Sequence, residues 1–184
     1  MLWPFNHFWK PRIAPRGTIE AIYGMIVTQA REPLFYQDLG VPDTVNGRFD
    51  LLVLHLWMVL RRLQSMADGK NLSQTLFDHF CDDMDANLRE MGVGDLSVGR
   101  KMKVMWEAFH GRSAAYAAAM STGDTAELDA ALNRNVWRGN PPPEGATEAL
   151  RRLVLAQDAH LATQDLPALA RGTASFLRAD EASR

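Results

Sequence analysis

Apolar positions recur along this chain every three or four residues, the period of a helix with one buried face. From Thr18 they fall at Ile19, Ile22, Tyr23, Ile26, Val27 and Ala30, which predicts a first helix that Pro33 ends. The stretch PLFYQDLGVPDTVNG has two prolines, two glycines and no period, and reads as an ordered loop or a run of turns. A second helix follows from about Arg48 to Ala67, apolar almost all round and therefore central. A third begins near Asn71 or Ser73. Its apolar stripe is Leu72, Leu76, Phe77, Phe80, Met84, Leu88 and Met91, and Gly92 supplies a left-handed stop. The opposite face carries Asp78, Asp82, Asp83, Asp85 and Glu90.

Past a GVGDLS turn, Ser97 is positioned to cap a fourth helix through Met102, Met105, Trp106 and Phe109 to the alanine-rich stretch near Met120, with Gly111 as a point of bending. Asp124 with Glu127 three residues on has the spacing of a capping box, and opens a helix that ends at RGNPPPEG. Two further helices are predicted near 146–163 and 166–178, the last with Pro167 in its first turn. Alternating runs of strand length, internal repeats and low-complexity stretches are missing from the sequence. The expected fold class is all-α, a single-domain bundle of about seven helices over 18–184. It follows an aromatic N-terminal segment at 1–17 and closes with a helical C-terminal extension at 141–184.

Composition narrows the function classes. A chain of 184 residues with 47% hydrophobic and 23% charged residues suffices for one core. A net charge of -2 gives no reason to expect nucleic acid as a partner. The one cysteine, Cys81, excludes an internal disulfide and points to a cytoplasmic setting. The longest apolar run, LLVLHLWMVL at 51–60, is about half of a bilayer span and is closed by Arg61 and Arg62. The N-terminus MLWPFNHFWKPR lacks the basic start and apolar region of a secretory signal; its rings either dip into a membrane interface or a partner, or fray.

Candidate chemistry is sparse. GDLSVGRK at 94–101 has the glycine spacing of a phosphate-binding loop, but Arg100 and Lys101 stand where the lysine and hydroxyl belong, and a helix rather than a strand feeds it. A turn between antiparallel helices is the better reading. CDDMDANLRE offers hard oxygen ligands but is helical, so a solvated acidic face, able to meet a basic partner, is preferred over a metal loop. His55 lies within the most apolar helix, five residues after Asp50, and is expected buried, neutral and bonded to a carbonyl. His79, His110 and His160 lack metal-binding spacing, and no serine has a nucleophile-elbow setting. Catalytic residues, a metal and a cofactor are therefore not expected. The nine methionines leave two readings open, ordinary core filling or an adaptable groove for apolar sequences, with Met84, Met91, Met102 and Met105 flanking one turn.

Two stretches, FYQDLGVPDTVNGRFDLL and DMDANLREMGVGDLSVGRKMK, are not compositionally simple, and together they resemble the ubiquinol–cytochrome c chaperone family over roughly residues 20–120. The resemblance implies an all-helical, non-enzymatic assembly factor for the cytochrome bc1 complex that binds newly made cytochrome b and works beside a small helical partner or as a homo-oligomer. The absence of a transit peptide, with a start about 20 residues before the match, resembles a bacterial member of the family, and the expected setting is cytoplasmic, peripheral at the inner face of the membrane. A binder of a membrane protein must offer apolar surface to its spans or acidic surface to its basic loops. The expected client-binding residues are Tyr36, Asp82, Asp83, Asp85, Met84, Met91, Met102 and Met105. Leu39, Gly40, Pro42, Asp43, Gly47, Arg48, His55, Gly92, Gly94 and Asp95 are the expected structural motif. Two alternatives stand beside this: an enzyme or lipid- or quinone-binding protein with a pocket near His55, and a self-associating scaffold.

Overall fold

The computed structural model describes residues 16–178, and among them there is no strand. Eight helices run in order: α1 (Arg16–Ala30), α2 (Pro33–Gln37), α3 (Val45–Gln64), α4 (Lys70–Glu90), α5 (Asp95–Thr122), α6 (Thr125–Val136), α7 (Ala146–Thr163) and α8 (Leu166–Ala170). The all-α expectation holds. The aromatic N-terminal segment lies outside the described residues apart from its last two positions.

Helix α3 is the axis, with α1, α4, α5, α6 and α7 all packed against it. Its sequence explains why: from Leu51 to Leu60 every side chain but that of Leu52 is buried, which only a helix surrounded by others can satisfy. Burial of apolar surface on this scale is the main stabilising term of the fold. The helix starts at Val45, three residues earlier than expected, because the Thr44 hydroxyl accepts the Gly47 N–H at 3.1 Å. Arg61 and Arg62 in its last turn complement the helix dipole and tie α3 to α7, Arg61 pairing with Asp158 and Arg62 donating to the Gln164 carbonyl at 2.6 Å.

The aperiodic loop contains one unexpected element. Pro33 does not simply follow α1; its fixed φ opens the five-residue helix α2, which buries Phe35. Gly40 then turns with φ +63°, and a Cβ there would sit 2.6 Å from Cγ of Pro143. Gly47 is equally constrained: its missing Cβ leaves room for the Pro42 carbonyl oxygen, 2.0 Å from where that atom would be.

The turn between α4 and α5 is a Schellman motif. Gly92 is left-handed at φ +79°, Val93 N–H reaches the Leu88 carbonyl at 3.0 Å, and Gly92 N–H reaches Arg89 at 2.9 Å. Helix α5 begins at Asp95 with Gly94 as its cap, so Ser97 is an interior residue of the first turn rather than the expected cap. The helix continues through Gly111 to Thr122. Asp124 caps α6 by accepting from Ala126 N–H at 2.8 Å, but Glu127 does not reach back to the cap; it accepts from the Thr122 hydroxyl, which in turn accepts the Asp124 N–H.

The last predicted helix is shorter than expected. Helix α8 stops at Ala170, where Gly172 turns left-handed at φ +68°, and residues 173–178 run without helical structure. Two glutamines of and after α7 hold that tail as a strand would. Gln157 both donates to and accepts from Leu177 at 2.8 Å, and Gln164 does the same with Ser175 at 2.7 and 2.9 Å. Phe176 is thereby packed edge-on against His55.

Candidate binding surface

Three clefts open on the side of the bundle where α4 meets α5. One, of about 530 Å³, lies among α1, α3, α4 and the turn after α4; it is lined by Tyr23, Val27, Arg48, Phe49, His79, Asp83, Met84, Met91 and Met105 among others. A second, of about 320 Å³, lies in the α4–α5 seam between Phe77, Phe80, Cys81 and Met84 on one side and Met102, Met105 and Trp106 on the other. The third, of about 900 Å³, runs along α5, with Val45, Phe49, Met91, Val93, Val104 and Met105 as its apolar wall and Arg100, Lys101, Arg112 and Arg138 as its basic one.

The four methionines singled out in the sequence converge here. Met105 lines all three clefts, Met84 the first two, Met91 the first and third, and Met102 the seam. The Schellman turn causes this: it folds α4 and α5 back on each other, so side chains far apart in sequence meet across one seam. Met91 is 57% exposed and Met84 is buried, so the set runs from core to surface.

The acidic residues separate. Asp83 turns inward, lines the first cleft and accepts from the Tyr23 hydroxyl at 2.7 Å, leaving the face on which periodicity set it. Burial, reinforced by that carboxylate, holds the Tyr23 phenol well above its ordinary pKa. Asp85 accepts from Arg89 at 2.6 Å, and Arg89 also pairs with Asp95 across the turn. Asp82 is exposed and forms no ion pair among the described residues. Tyr36 lines none of the three clefts; its hydroxyl donates at 2.8 Å to the carbonyl of Ala30, a residue that lines the first, and closes the end of α1.

The expected structural residues hold the scaffold around this surface. Leu39 is buried and its carbonyl accepts the Trp137 indole N–H at 2.9 Å, joining the loop to the end of α6. Asp43 and Arg48 form a two-pronged, exposed pair at 2.6 and 3.2 Å. His55 is buried between Phe35 and Phe176, and its Nδ1–H donates to the Leu51 carbonyl at 2.8 Å. Desolvation pushes its pKa down to about 4, so it is neutral as expected, and it lines none of the three clefts. The Cys81 thiol is pushed up by burial and stays protonated. No group of metal-ligating side chains is gathered among the described residues, and no described helix is long and apolar enough to cross a membrane.

One ion-pair node escaped sequence reasoning. Asp50, fully buried, accepts from Arg112 Nη2 at 2.7 Å and from Arg138 Nε at 2.7 Å and Nη2 at 3.2 Å. Burial raises its pKa against the pull of both guanidiniums. Arg138 reaches it from a left-handed backbone, φ 56°, which a non-glycine residue adopts only when its surroundings fix it. The signal was a carboxylate beside the most apolar run of the chain, a residue that cannot be buried without cations. Which cations they are, 62 and 88 residues away, is not in the local pattern.

Comparison with known proteins agrees with this architecture. The family model described as ubiquinol-cytochrome C chaperone matches residues 37–176, and so continues through α6, α7 and α8, past the 20–120 stretch on which the sequence resemblance rests. The chain is 27% identical over 158 residues to ubiquinol-cytochrome-c reductase complex assembly factor 1 of Xenopus laevis, covering 85% of this chain and 76% of that protein. It is 31% identical over 109 residues to the mitochondrial protein CBP3 of Saccharomyces cerevisiae, covering 57% of this chain and 32% of the yeast protein. The crystal structure of the Cbp3 homolog from Brucella abortus superposes with a TM-score of 0.81 at 35% identity, covering 91% of this chain and 93% of that one.

Proposed function

The chain belongs to the ubiquinol-cytochrome C chaperone family, and from that premise we propose that it is a non-enzymatic assembly chaperone of the cytochrome bc1 complex that holds newly made cytochrome b along the α4–α5 seam. The observation that carries this reading is the convergence of Met84, Met91, Met102 and Met105 on three adjoining clefts. Thioether side chains are unbranched and polarizable, so one surface repacks around the differing apolar faces of successive membrane segments. Relatives named as assembly factors of ubiquinol–cytochrome c reductase support the same role. The charge around the seam suits a client with basic flanks on one side only. Asp82 and Asp83 lie on α4, with Asp83 lining the first cleft, whereas Arg100 and Lys101 lie on α5, line the third and would repel such flanks. The basic loops of the client thus lie along α4, and the protein works at the cytoplasmic face of the membrane.

The test is capture of tagged protein from cells that make the bc1 complex, with mass spectrometry for cytochrome b and haem b difference spectra in a deletion strain. The expected result is cytochrome b enriched with wild type, reduced severalfold with a Met91→Ser, Met105→Ser double variant, and a lost haem b signal in the deletion strain. Capture unchanged by the double variant moves the client off the seam, and a normal spectrum with no cytochrome b recovered ends the reading. Asp82→Lys is the cleaner charge reversal, because Asp83 and Asp85 also carry bonds within the fold.

A further inference from the structure

The first half of α5 is built differently from the rest of the bundle. From Asp95 to Ala108 it buries a single side chain, Val98. Of the six large apolar side chains most exposed among the described residues, three lie on this half-helix: Leu96 at 100%, Val104 at 59% and Trp106 at 51%. Met91, at 57%, stands just before it on the turn. Interleaved with them are Arg100, Lys101 and Lys103, and no acid lies between Leu96 and Trp106. On either side of that run, Asp95 is occupied by Arg89, and Glu107 lies 3.9 Å from Lys103 Nζ.

Helical spacing arranges these residues as a ridge. Leu96, Arg100 and Lys103 fall at i, i+4 and i+7 and point outward together, with Val104 on one flank and Trp106 on the other. Val104 lines the basic cleft and Trp106 the α4–α5 seam, so the ridge stands between two openings. A partner protein is a poor fit, because the cores of protein interfaces are depleted of lysine, and a second copy packed by two-fold symmetry would set these cations against their own images. A bilayer surface suits all of it. Tryptophan settles at the headgroup level, leucine and valine enter the acyl boundary, and long basic side chains lie along the apolar surface while their charges reach lipid phosphates. The chain as a whole carries a net charge of -2, so attraction to an anionic surface has to come from a local patch such as this.

We propose that the outward ridge of α5, Leu96, Arg100, Lys103, Val104 and Trp106, docks on the surface of a bilayer containing anionic phospholipid. The docking puts the openings of the methionine-lined clefts at the headgroup plane, where a membrane segment is handed over; that purpose rests on the client reading above, while the docking itself does not.

Co-flotation of the full chain with vesicles tests it without any client. Binding is expected to be about tenfold or more stronger to phosphatidylcholine vesicles containing phosphatidylglycerol than to phosphatidylcholine alone, and to weaken on addition of salt. An Arg100→Glu, Lys101→Glu, Lys103→Glu variant with wild-type circular dichroism should lose that preference. Should the triple variant not fold, Leu96→Ser, at a fully exposed position, makes the same comparison and should weaken binding severalfold. Equal binding to both vesicles overturns the proposal, as does a folded variant that floats like wild type, since the aromatic N-terminal segment would then carry the membrane contact. A wild-type dimer that the triple variant dissolves would assign the ridge to a second copy and overturn it as well. Failure of cytochrome b capture with vesicle binding intact removes the client reading and leaves the docking standing.

Discussion

Helices α3 and α5 lie side by side in one bundle, yet α3 buries twelve of its twenty residues while the longer α5 buries four of twenty-eight. Around α3 the apolar side chains are covered from within the bundle. Leu51, Val53, Leu54, Val59 and Leu63 have no exposed surface, the Asp50 carboxylate has two guanidiniums, and the loop before it is fastened by Trp137 to Leu39. Around the first half of α5 the apolar side chains outnumber the neighbours available to cover them. Part of the difference is composition, since nine of the twenty residues of α3 are leucine or valine against three of twenty-eight in α5. The rest is place: α3 is packed against five other helices, whereas the first half of α5 buries only Val98. A surface meant to receive something must be left incomplete, and it costs the fold little when the completed part lies elsewhere.

The comparison breaks most visibly at Asp50. Removing the carboxylate by Asp50→Ala leaves two arginines aimed at a vacated buried site, and unfolding in urea should show a loss of about 3–5 kcal/mol. A loss below about 1 kcal/mol would show that the α3 side is not held by this node.

The next largest effect comes from pH, and it separates the same two regions. His55 in the folded protein has a pKa of about 4, below the 6.5 of an exposed histidine, so as pH falls the unfolded chain takes up the proton first. This contribution is intact above about pH 6.5 and declines as pH falls toward 4, by up to about 3 kcal/mol. Urea midpoints across that window should show the decline in wild type and a flatter profile in His55→Gln. Identical slopes would mean that His55 is not the buried neutral base its bond to Leu51 implies.

The smallest effect is expected on the open side. Met91→Ser removes a mostly exposed thioether and should change stability by no more than about 0.5 kcal/mol, while lowering client capture. A large loss of stability from this variant would mean that Met91 belongs to the core, and the contrast between the two helices would fail.

Legibility follows the same division. The stripe of α4 as far as Leu88, the all-round apolarity of α3, the Gly92 stop, the Asp124 cap and Pro167 in the first turn of α8 are local facts, and each stands in the structure where the sequence put it, whereas Met91, expected on that stripe, is the exposed residue that caps the helix. Errors gathered where a non-local partner outweighed the local signal. Helix α8 stops early because Gln157 and Gln164 satisfy the backbone of the tail in its place. Asp83 leaves the acidic face because Tyr23, sixty residues away, offers a hydroxyl. The methionine cluster was visible as residues flanking a turn, but whether they filled a core or lined a cleft depended on how far α5 reaches beyond the helices that cover it.

The sequence by itself determined the all-α class, most of the helices and their buried faces, because the 3.6-residue period and the capping chemistry act within a few residues of chain. The tertiary structure alone decided which methionines meet, which carboxylates stay free and which arginines reach Asp50. Those outcomes depend on contacts between residues tens of positions apart, and no local pattern carries the energy of a partner that the chain brings near only once it has folded.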